Sequence, residues 1–161
     1  NIIESIVNLF KETNSDAIYG DLIYVKEEQY IRHWKSNAFK QKSLKYGWMP
    51  PHPTLYCKKE VYQNLGNFDQ QFSISADYDF ILRLFKSENI STSYINKTLI
   101  HMNIGGASNK DFSCLIKKYK EDYTALKKNK MKYACLTLFI KNIRKIYQYY
   151  RGKKTTLSKL K

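Results

Sequence analysis

Two carboxylates, Asp77 and Asp79, stand at the start of the most clearly patterned helix in the sequence, residues 75–88. A positioned carboxylate can accept the proton of an attacking hydroxyl group, and the helix dipole favours its ionised form. Residues two positions apart point in different directions, so Asp77 and Asp79 cannot share one proton. Two alternatives remain open: both carboxylates cap the helix, or Asp79 pairs with Arg83 one turn later.

A third carboxylate, Asp21, interrupts the stretch AIYGDLIYV at 17–25, whose β-branched and aromatic residues otherwise predict a strand. Together with Gly20, it predicts a bend or a bulge in that strand. Burying an unpaired carboxylate is costly. We therefore expect Asp21 either to face solvent or to meet a ligand or a cation.

Two loops offer further contacts for a ligand. The segment GWMPPHPT at 47–54 holds all three prolines of the chain and predicts a rigid loop that presents Trp48 and His52. Here His52 is either a ligand contact or a structural hydrogen-bonder. Gly105 and Gly106 predict an unusual turn or a close approach of the backbone to a ligand.

The elements that position these residues alternate between helix and strand, which predicts an α/β fold. The chain has 161 residues, of which 43% are hydrophobic, and this favours one domain with a core. Residues 26–46 are polar and predict a surface loop with a weak helix. Hydrophobic periodicity predicts helices at 2–10, 59–65, 75–88, 111–128 and 131–150, and strands at 17–25, 54–57, 92–95 and 98–102.

The net charge of +14 is concentrated at one end of the chain. Residues 117–161 hold 15 basic and 2 acidic side chains, whereas the preceding residues are almost neutral. Three interpretations are open: a solvated helix face, a nucleic-acid surface, or a membrane-surface anchor. The anchor fits best, because residues 131–150 combine an apolar stripe with Lys141, Arg144 and Lys145 elsewhere on the helix.

No run of about 18 apolar residues predicts a membrane-spanning helix, and the N-terminus has no signal-peptide pattern. Three widely spaced cysteines lack metal-ligand spacing and predict free, packed thiols in a reducing cytoplasm. Because Asn1 stands directly before a helical pattern, we expect this sequence to be a piece of a longer chain.

Three segments, taken in order, resemble the second half of family 2 glycosyltransferases with the GT-A fold, of the bacterial polysaccharide type. They are YGDLIYV at 19–25, MPPHPTLYCKKEVYQNLGNFDQQFSISADYDFILRLF at 49–85, and IGGAS at 104–108. The resemblance covers about residues 1–125. It implies an acceptor-side half of a Rossmann-like GT-A domain at 1–110, followed by a basic helical extension at 111–161.

The resemblance also implies a reaction and its partners. The complete enzyme would transfer a sugar from a nucleotide-sugar to a glycan or lipid-linked acceptor in cell-surface polysaccharide synthesis, with inversion at the anomeric carbon. It would work in the cytoplasm, peripherally at the inner face of the membrane. The nucleotide site and the Asp-x-Asp motif for Mn²⁺ or Mg²⁺ belong upstream of Asn1, so we expect this chain alone to bind no cofactor.

Particular residues receive roles from the resemblance. Asp77 matches the catalytic base, although Ala76 stands where many members have the Glu of a Glu-Asp pair. His101 is a weak candidate for a late metal ligand. The expected substrate-binding residues are Asp21, Trp48, His52, Asp79, Gly105 and Gly106.

Two competing interpretations assign no chemistry to this chain. A basic module that binds a membrane or nucleic acid would interleave basic and aromatic residues on a surface without acids in the cleft. The carboxylates at 21, 77 and 79 speak against it, and nucleic acid is not an expected partner. A degenerate, inactive transferase half stays open.

Overall fold

The computed structural model describes residues 1–27, 29–104 and 112–152, with the backbone alone for 149–152. Two short 3₁₀ helices, Gln41–Tyr46 and His52–Thr54, connect β2 to β3. The other elements are α1 (Ile2–Thr13), β1 (Ala17–Lys26), β2 (Gln29–Trp34), β3 (Leu55–Cys57), α2 (Lys59–Leu65), α3 (Ala76–Lys86), β4 (Thr92–Asn103), α4 (Phe112–Lys128) and α5 (Ala134–Gly152).

The four strands form one mixed sheet with β1 at its centre. β4 runs parallel to β1 along its length. On the other edge, β3 pairs antiparallel with the beginning of β1, and β2 pairs antiparallel with its end. The register of β1 and β4 shifts on both sides of Asp21, which confirms the predicted irregularity at Gly20 and Asp21.

Helices cover both faces of this sheet. Ile18 of β1 packs with Ile6 of α1 on one face. The larger core lies on the other face, where Tyr19 of β1 meets Phe85 of α3 in an edge-to-face contact with ring centroids 5.4 Å apart. Leu126 of α4 belongs to the same core. The mixed α/β arrangement is compatible with a Rossmann-like domain.

The predicted helices and most strands are confirmed, but two predictions about strands were wrong. Residues 26–46 contain β2, whose sequence QYIRHW buries Tyr30 and Arg32 on one face, so the charged arginine concealed a strand pattern. The segments 92–95 and 98–102 are one strand, β4. Asn96 and Lys97 lie between these segments and are exposed. They do not end the strand, because the register shift beside Asp21 accommodates them.

The described part of the chain has no helix that is long and apolar enough to span a lipid bilayer.

Gly47 allows α5 to pack closely on the first 3₁₀ helix. Its φ of 64° is left-handed, and a Cβ there would lie 2.6 Å from Lys141 Cβ and 2.7 Å from the Lys141 backbone. Thr137 also ties α5 to this helix, because its hydroxyl donates to the Lys45 carbonyl at 2.9 Å. The placement of Lys141 therefore depends on a glycine at position 47.

We expect Gly47→Ala to lower the free energy of unfolding by about 2–5 kcal/mol, from left-handed strain together with overpacking. Gly66→Ala is a control for backbone strain without overpacking. Gly66 has φ 79° and ψ 162°, a conformation nearly exclusive to glycine, and its added Cβ would meet only an Arg83 side-chain atom, at 3.9 Å. The control should lose about 1–3 kcal/mol in denaturant unfolding, from strain alone. A loss of no more than about 1–2 kcal/mol in Gly47→Ala, the cost of left-handed strain alone, would mean that close packing against α5 contributes nothing.

Candidate functional site

A cavity of about 240 Å³ lies between β2, the loop that follows Gly47, the start of α3, and the helices α4 and α5. Asp77 lines it, and so does Trp48, one of the predicted substrate-binding residues. The rest of the lining mixes apolar and polar side chains and includes six basic ones, Arg32, Lys35, Lys118, Lys141, Arg144 and Lys145.

Asp77 is half-buried in the first turn of α3. Its Oδ1 accepts a hydrogen bond from the Tyr78 backbone N–H at 2.7 Å, which is a local helix-start contact. Within the described residues this is its one hydrogen bond, and it forms no ion pair there, so Oδ2 keeps its capacity to accept a proton. The geometry thus combines a capping contact with an available carboxylate oxygen.

The backbone before Asp77 is held by Glu121 of α4. Its carboxylate accepts hydrogen bonds from the backbone N–H groups of Ser73, Ile74 and Ser75, at 3.3, 2.8 and 2.9 Å. Burial raises the pKa of Glu121, but these hydrogen bonds outweigh burial and lower it overall. The start of α3 is therefore fixed by an ionised side chain from another helix.

Asp122, the next residue of α4, organises the floor of the cavity. It is buried, and its carboxylate accepts from the Ser75 hydroxyl at 2.7 Å, so the Ser75 side chain does not cap α3. Lys118 and Lys141 donate to the same carboxylate at 2.7 and 2.9 Å. Burial raises the pKa of Asp122, while these two ammonium groups outweigh it and lower the pKa overall.

Lys141 is held between a carboxylate and an aromatic ring. Its Nζ lies 3.3 Å from the centroid of the Tyr78 ring. Burial lowers the pKa of Lys141 to about 8, although Asp122 acts in the opposite direction. The adjacent Lys145 also has a lowered pKa, first because of burial and then because of the positive charges of Arg32 and Lys118.

Asp79 lies outside the cavity. Its side chain is fully buried, and its carboxylate accepts from Arg83 Nε at 2.9 Å and from Asn129 Nδ2 at 2.8 Å. Lys128 Nζ lies 3.4 Å away. This arrangement favours pairing with Arg83, one of the two alternatives for Asp79, over direct contact with a substrate.

Asp21 is buried, so the expectation that it faces solvent was wrong, and its described partners belong to the same chain. Its Oδ1 accepts from the Ser36 backbone N–H at 2.8 Å and from the Tyr94 hydroxyl at 3.0 Å. His33 Nε2 lies 3.5 Å from Oδ2. The cost of burying this carboxylate is offset by hydrogen-bond donors from β4 and from the loop after β2.

The remaining predicted residues are dispersed. Trp48 is buried, and its Nε1 donates to the Ser36 carbonyl at 2.7 Å. His52, which is absent from the described cavity lining, packs edge-to-face on Phe68 with ring centroids 5.7 Å apart. His101 is exposed in β4. Gly105 and Gly106 lie outside the described residues. Among the described residues, no group of three His, Cys, Asp or Glu could hold a metal ion.

Lys118, Glu121 and Asp122 were not predicted as parts of a site. Their spacing offered a signal, because Lys118 and Asp122 are four positions apart on one helix. Lys141 and Lys145 are likewise four apart and share one face of α5. They were predicted only to lie off the apolar stripe of that helix, whereas both line the cavity beside Asp77.

The similarity of this chain to known proteins is distant. No protein-family model matches the chain, and no solved structure matches it. The chain is similar to a "PGL/p-HBAD biosynthesis glycosyltransferase" of Mycobacterium bovis (strain BCG / Pasteur 1173P2) and to one of the same name from Mycobacterium tuberculosis (strain H37Ra). Each is 26% identical over 96 residues, which make up 59% of this chain and 36% of the relative. The chain thus spans little more than a third of these relatives, and it is a distant relative of proteins named glycosyltransferases.

Proposed function

We propose that the chain is the acceptor-side half of an inverting family 2 glycosyltransferase with the GT-A fold. The observation that carries this proposal is the half-buried carboxylate of Asp77, which lines a cavity rich in basic side chains and keeps one oxygen without a partner in the described structure. The distant similarity to proteins named glycosyltransferases supports the same class. The donor is a nucleotide-sugar, and the acceptor is a glycan or a lipid-linked glycan in cell-surface polysaccharide synthesis.

In this proposal Asp77 acts as the general base. As the acceptor hydroxyl attacks the anomeric carbon, a new carbon–oxygen bond forms and the bond from that carbon to the donor phosphate breaks. The hydroxyl proton passes to Asp77 Oδ2, and the nucleoside diphosphate leaves with the electron pair of the broken bond. Because Oδ1 is occupied by the Tyr78 N–H, the carboxylate has a fixed orientation during proton transfer.

Within the described part of the chain, neither His101 nor any carboxylate belongs to a group of three potential metal ligands. The described residues therefore do not form a site for a divalent cation, and we assign no step on them to a metal. In the proposal, the cation and the nucleotide belong to residues upstream of Asn1. Such a segment has surfaces to pack on, since α1 exposes Ile2, Ile3 and Val7, and within the described chain β4 pairs with β1 alone.

The proposed division is an acceptor-side half at 1–110 and a helical extension at 111–161. The two parts share one core, in which Ala125 and Leu126 of α4 pack with residues of α3. The extension also contributes to the Asp77 cavity through Lys118 and Lys141. It therefore serves the proposed active site in addition to any surface role.

The direct test is transfer of a labelled sugar from a panel of nucleotide-sugars to glycan acceptors by the complete protein, with and without the Asp77 carboxylate. Transfer that requires this carboxylate supports the proposal. A complete, folded protein that transfers from none of these donors would favour the degenerate half or the non-catalytic module.

We further propose that α4 and α5 place the protein peripherally on the inner face of the cytoplasmic membrane. Both helices expose apolar side chains, among them Phe112, Ile116, Phe139 and Ile146, which are 76, 43, 63 and 70% exposed. Exposed lysines accompany them, namely Lys117, Lys120 and Lys132. Apolar groups flanked by cations are complementary to an anionic lipid surface.

We expect the chain to sediment with vesicles that contain anionic lipid, to sediment weakly with neutral vesicles, and to be released by salt. Each basic residue near the surface contributes roughly 1 kcal/mol. Phe139→Ser with Ile146→Ser should weaken sedimentation, whereas Ile3→Ser, an exposed apolar position on α1, should not. Equal binding to both lipid types, or preference for DNA over vesicles at moderate salt, would contradict the membrane proposal.

A further inference from the structure

The cavity beside Asp77 has a large excess of positive charge. Its lining contains six basic side chains and two carboxylates, Asp77 and Asp122. Buried or half-buried charges normally occur with partners, because removal from water penalises each of them. A concave site with such an excess attracts anions.

The ion pairs inside the cavity do not reach Arg144 and Lys145. Asp122 alone serves both Lys118 and Lys141, at 2.7 and 2.9 Å. Arg144 and Lys145 are half-buried on α5, and neither forms an ion pair with a carboxylate of the described chain. Burial lowers the pKa of both groups, and the carboxylate of Asp122 offsets this effect only in part for Lys145. An anion in the cavity would supply a closer counter-charge.

Arg32 completes the cationic wall and is firmly positioned. It is buried, its guanidinium donates to Gln148 Oε1 through Nε at 2.8 Å, and it lies over the Trp34 ring at 4.5 Å from the centroid. A guanidinium held in this way contributes a fixed positive charge behind Lys145. The cationic groups therefore come from β2, α4 and α5 and converge on one space.

We propose that this cavity is an anion site that binds a phosphate or diphosphate group through Arg144 and Lys145, with Lys118 and Lys141 at its floor. The volume of about 240 Å³ is smaller than the clefts that take drug-sized ligands, which suits a compact charged group. Guanidinium and ammonium groups are the side chains that proteins use for phosphate. Anion binding depends only on this cavity. The further claim that the bound phosphate belongs to an acceptor held near Asp77 rests on the proposed function.

The cavity also borders apolar surface. Leu115 and Tyr119 of α4 line it and are at the same time 36 and 38% exposed. A phosphate that carries an apolar chain could thus place its charge among the cations and its chain along α4. A free phosphate or diphosphate would use the cationic part alone.

The test is titration calorimetry of the 161-residue chain with inorganic pyrophosphate in a buffer free of divalent cations. We expect saturable binding with one site, and a loss of affinity of about tenfold or more when Arg144→Gln and Lys145→Gln are combined. The matched control combines Lys127→Gln with Lys132→Gln, two exposed lysines outside the cavity, and should keep the wild-type affinity. Lys145→Arg keeps the charge and should also keep binding.

Thermal unfolding separates binding from folding. Pyrophosphate should raise the Tm of the wild type and of the control, but not that of the Arg144→Gln, Lys145→Gln variant, whose own Tm should not fall because no carboxylate partner is lost. The site is disproved if pyrophosphate does not bind, or if both double variants lose affinity equally, which is the behaviour of unspecific surface charge.

Two further experiments identify the source of the phosphate and separate a failure of the anion site from a failure of the proposed function. Tighter binding of a ten-carbon alkyl phosphate, kept below its micellar concentration, than of inorganic phosphate supports a phosphate with an apolar chain, whereas equal binding supports a free phosphate. Asp77→Asn should retain pyrophosphate binding, because it removes a negative charge from the lining. If that variant stops sugar transfer and the wild type binds no pyrophosphate, the anion site fails while the proposed base stands.

Discussion

In the complete enzyme, we expect Asp77→Asn to lower kcat by about 10²–10⁴, which corresponds to roughly 2.7–5.4 kcal/mol of transition-state stabilisation. The amide has the size of the carboxylate and keeps an oxygen that can accept from the Tyr78 N–H, which lies 2.7 Å from Asp77 Oδ1 in the wild type. It removes the capacity to accept a proton. The measurement is steady-state sugar transfer, with the KM for the donor and the Tm expected to change little.

Glu60→Gln is the matched control for Asp77→Asn. Glu60 is also a carboxylate in the first turn of a helix, but it lies on α2, is exposed, and is absent from the described cavity lining. This control should keep full activity. Turnover near the wild-type rate in Asp77→Asn would show that the carboxylate serves only as the local helix-start contact, and the assignment of the base would be wrong.

The contrast between Asp77 and Asp79 was only partly predictable from the sequence. Helical spacing correctly places the two carboxylates in different directions and brings Asp79 to Arg83, four positions later. The sequence does not show that Asn129 also reaches Asp79, because that contact joins positions 50 residues apart and depends on how α4 packs on α3. Long-range contacts of this kind decide which carboxylate remains available.

The same limit explains the missed strand and the missed cations. Arg32 made β2 look polar, yet its guanidinium is buried beside Trp34 and Gln148, and Gln148 belongs to α5 at the far end of the chain. The sequence around the lysines of α4 and α5 has no pattern that distinguishes a cavity-lining lysine from one on a solvated helix face. Only the packing of both helices beside β2 and α3 gives them that position.

Removing the carboxylate of Asp79 should produce the largest loss of stability among the acidic residues discussed. Asp79→Ala leaves Arg83 and Asn129 without the acceptor that they meet at 2.9 and 2.8 Å in a fully buried position. Breaking a buried pair by removing one partner costs about 3–5 kcal/mol. For a chain of this size, that lowers the Tm by about 6–20 °C.

Asp69→Ala tests whether burial is the cause of this loss. Asp69 and Asp79 both lie near Lys128 Nζ, at 2.6 and 3.4 Å, but Asp69 is partly exposed and water can replace its lost ion pair. Differential scanning calorimetry should therefore show a much smaller decrease of Tm for Asp69→Ala than for Asp79→Ala.

Arg83 also donates to the carbonyls of Asn67 and Gly66, at 2.9 and 3.0 Å. If Arg83 lost Asp79, the end of α2 would therefore be held less tightly against α3. Similar decreases of Tm for both variants would mean that burial adds nothing to the ion pair of Asp79. Asp79 would then not be a structural anchor, and its contrast with Asp77, the available base, would lose its support.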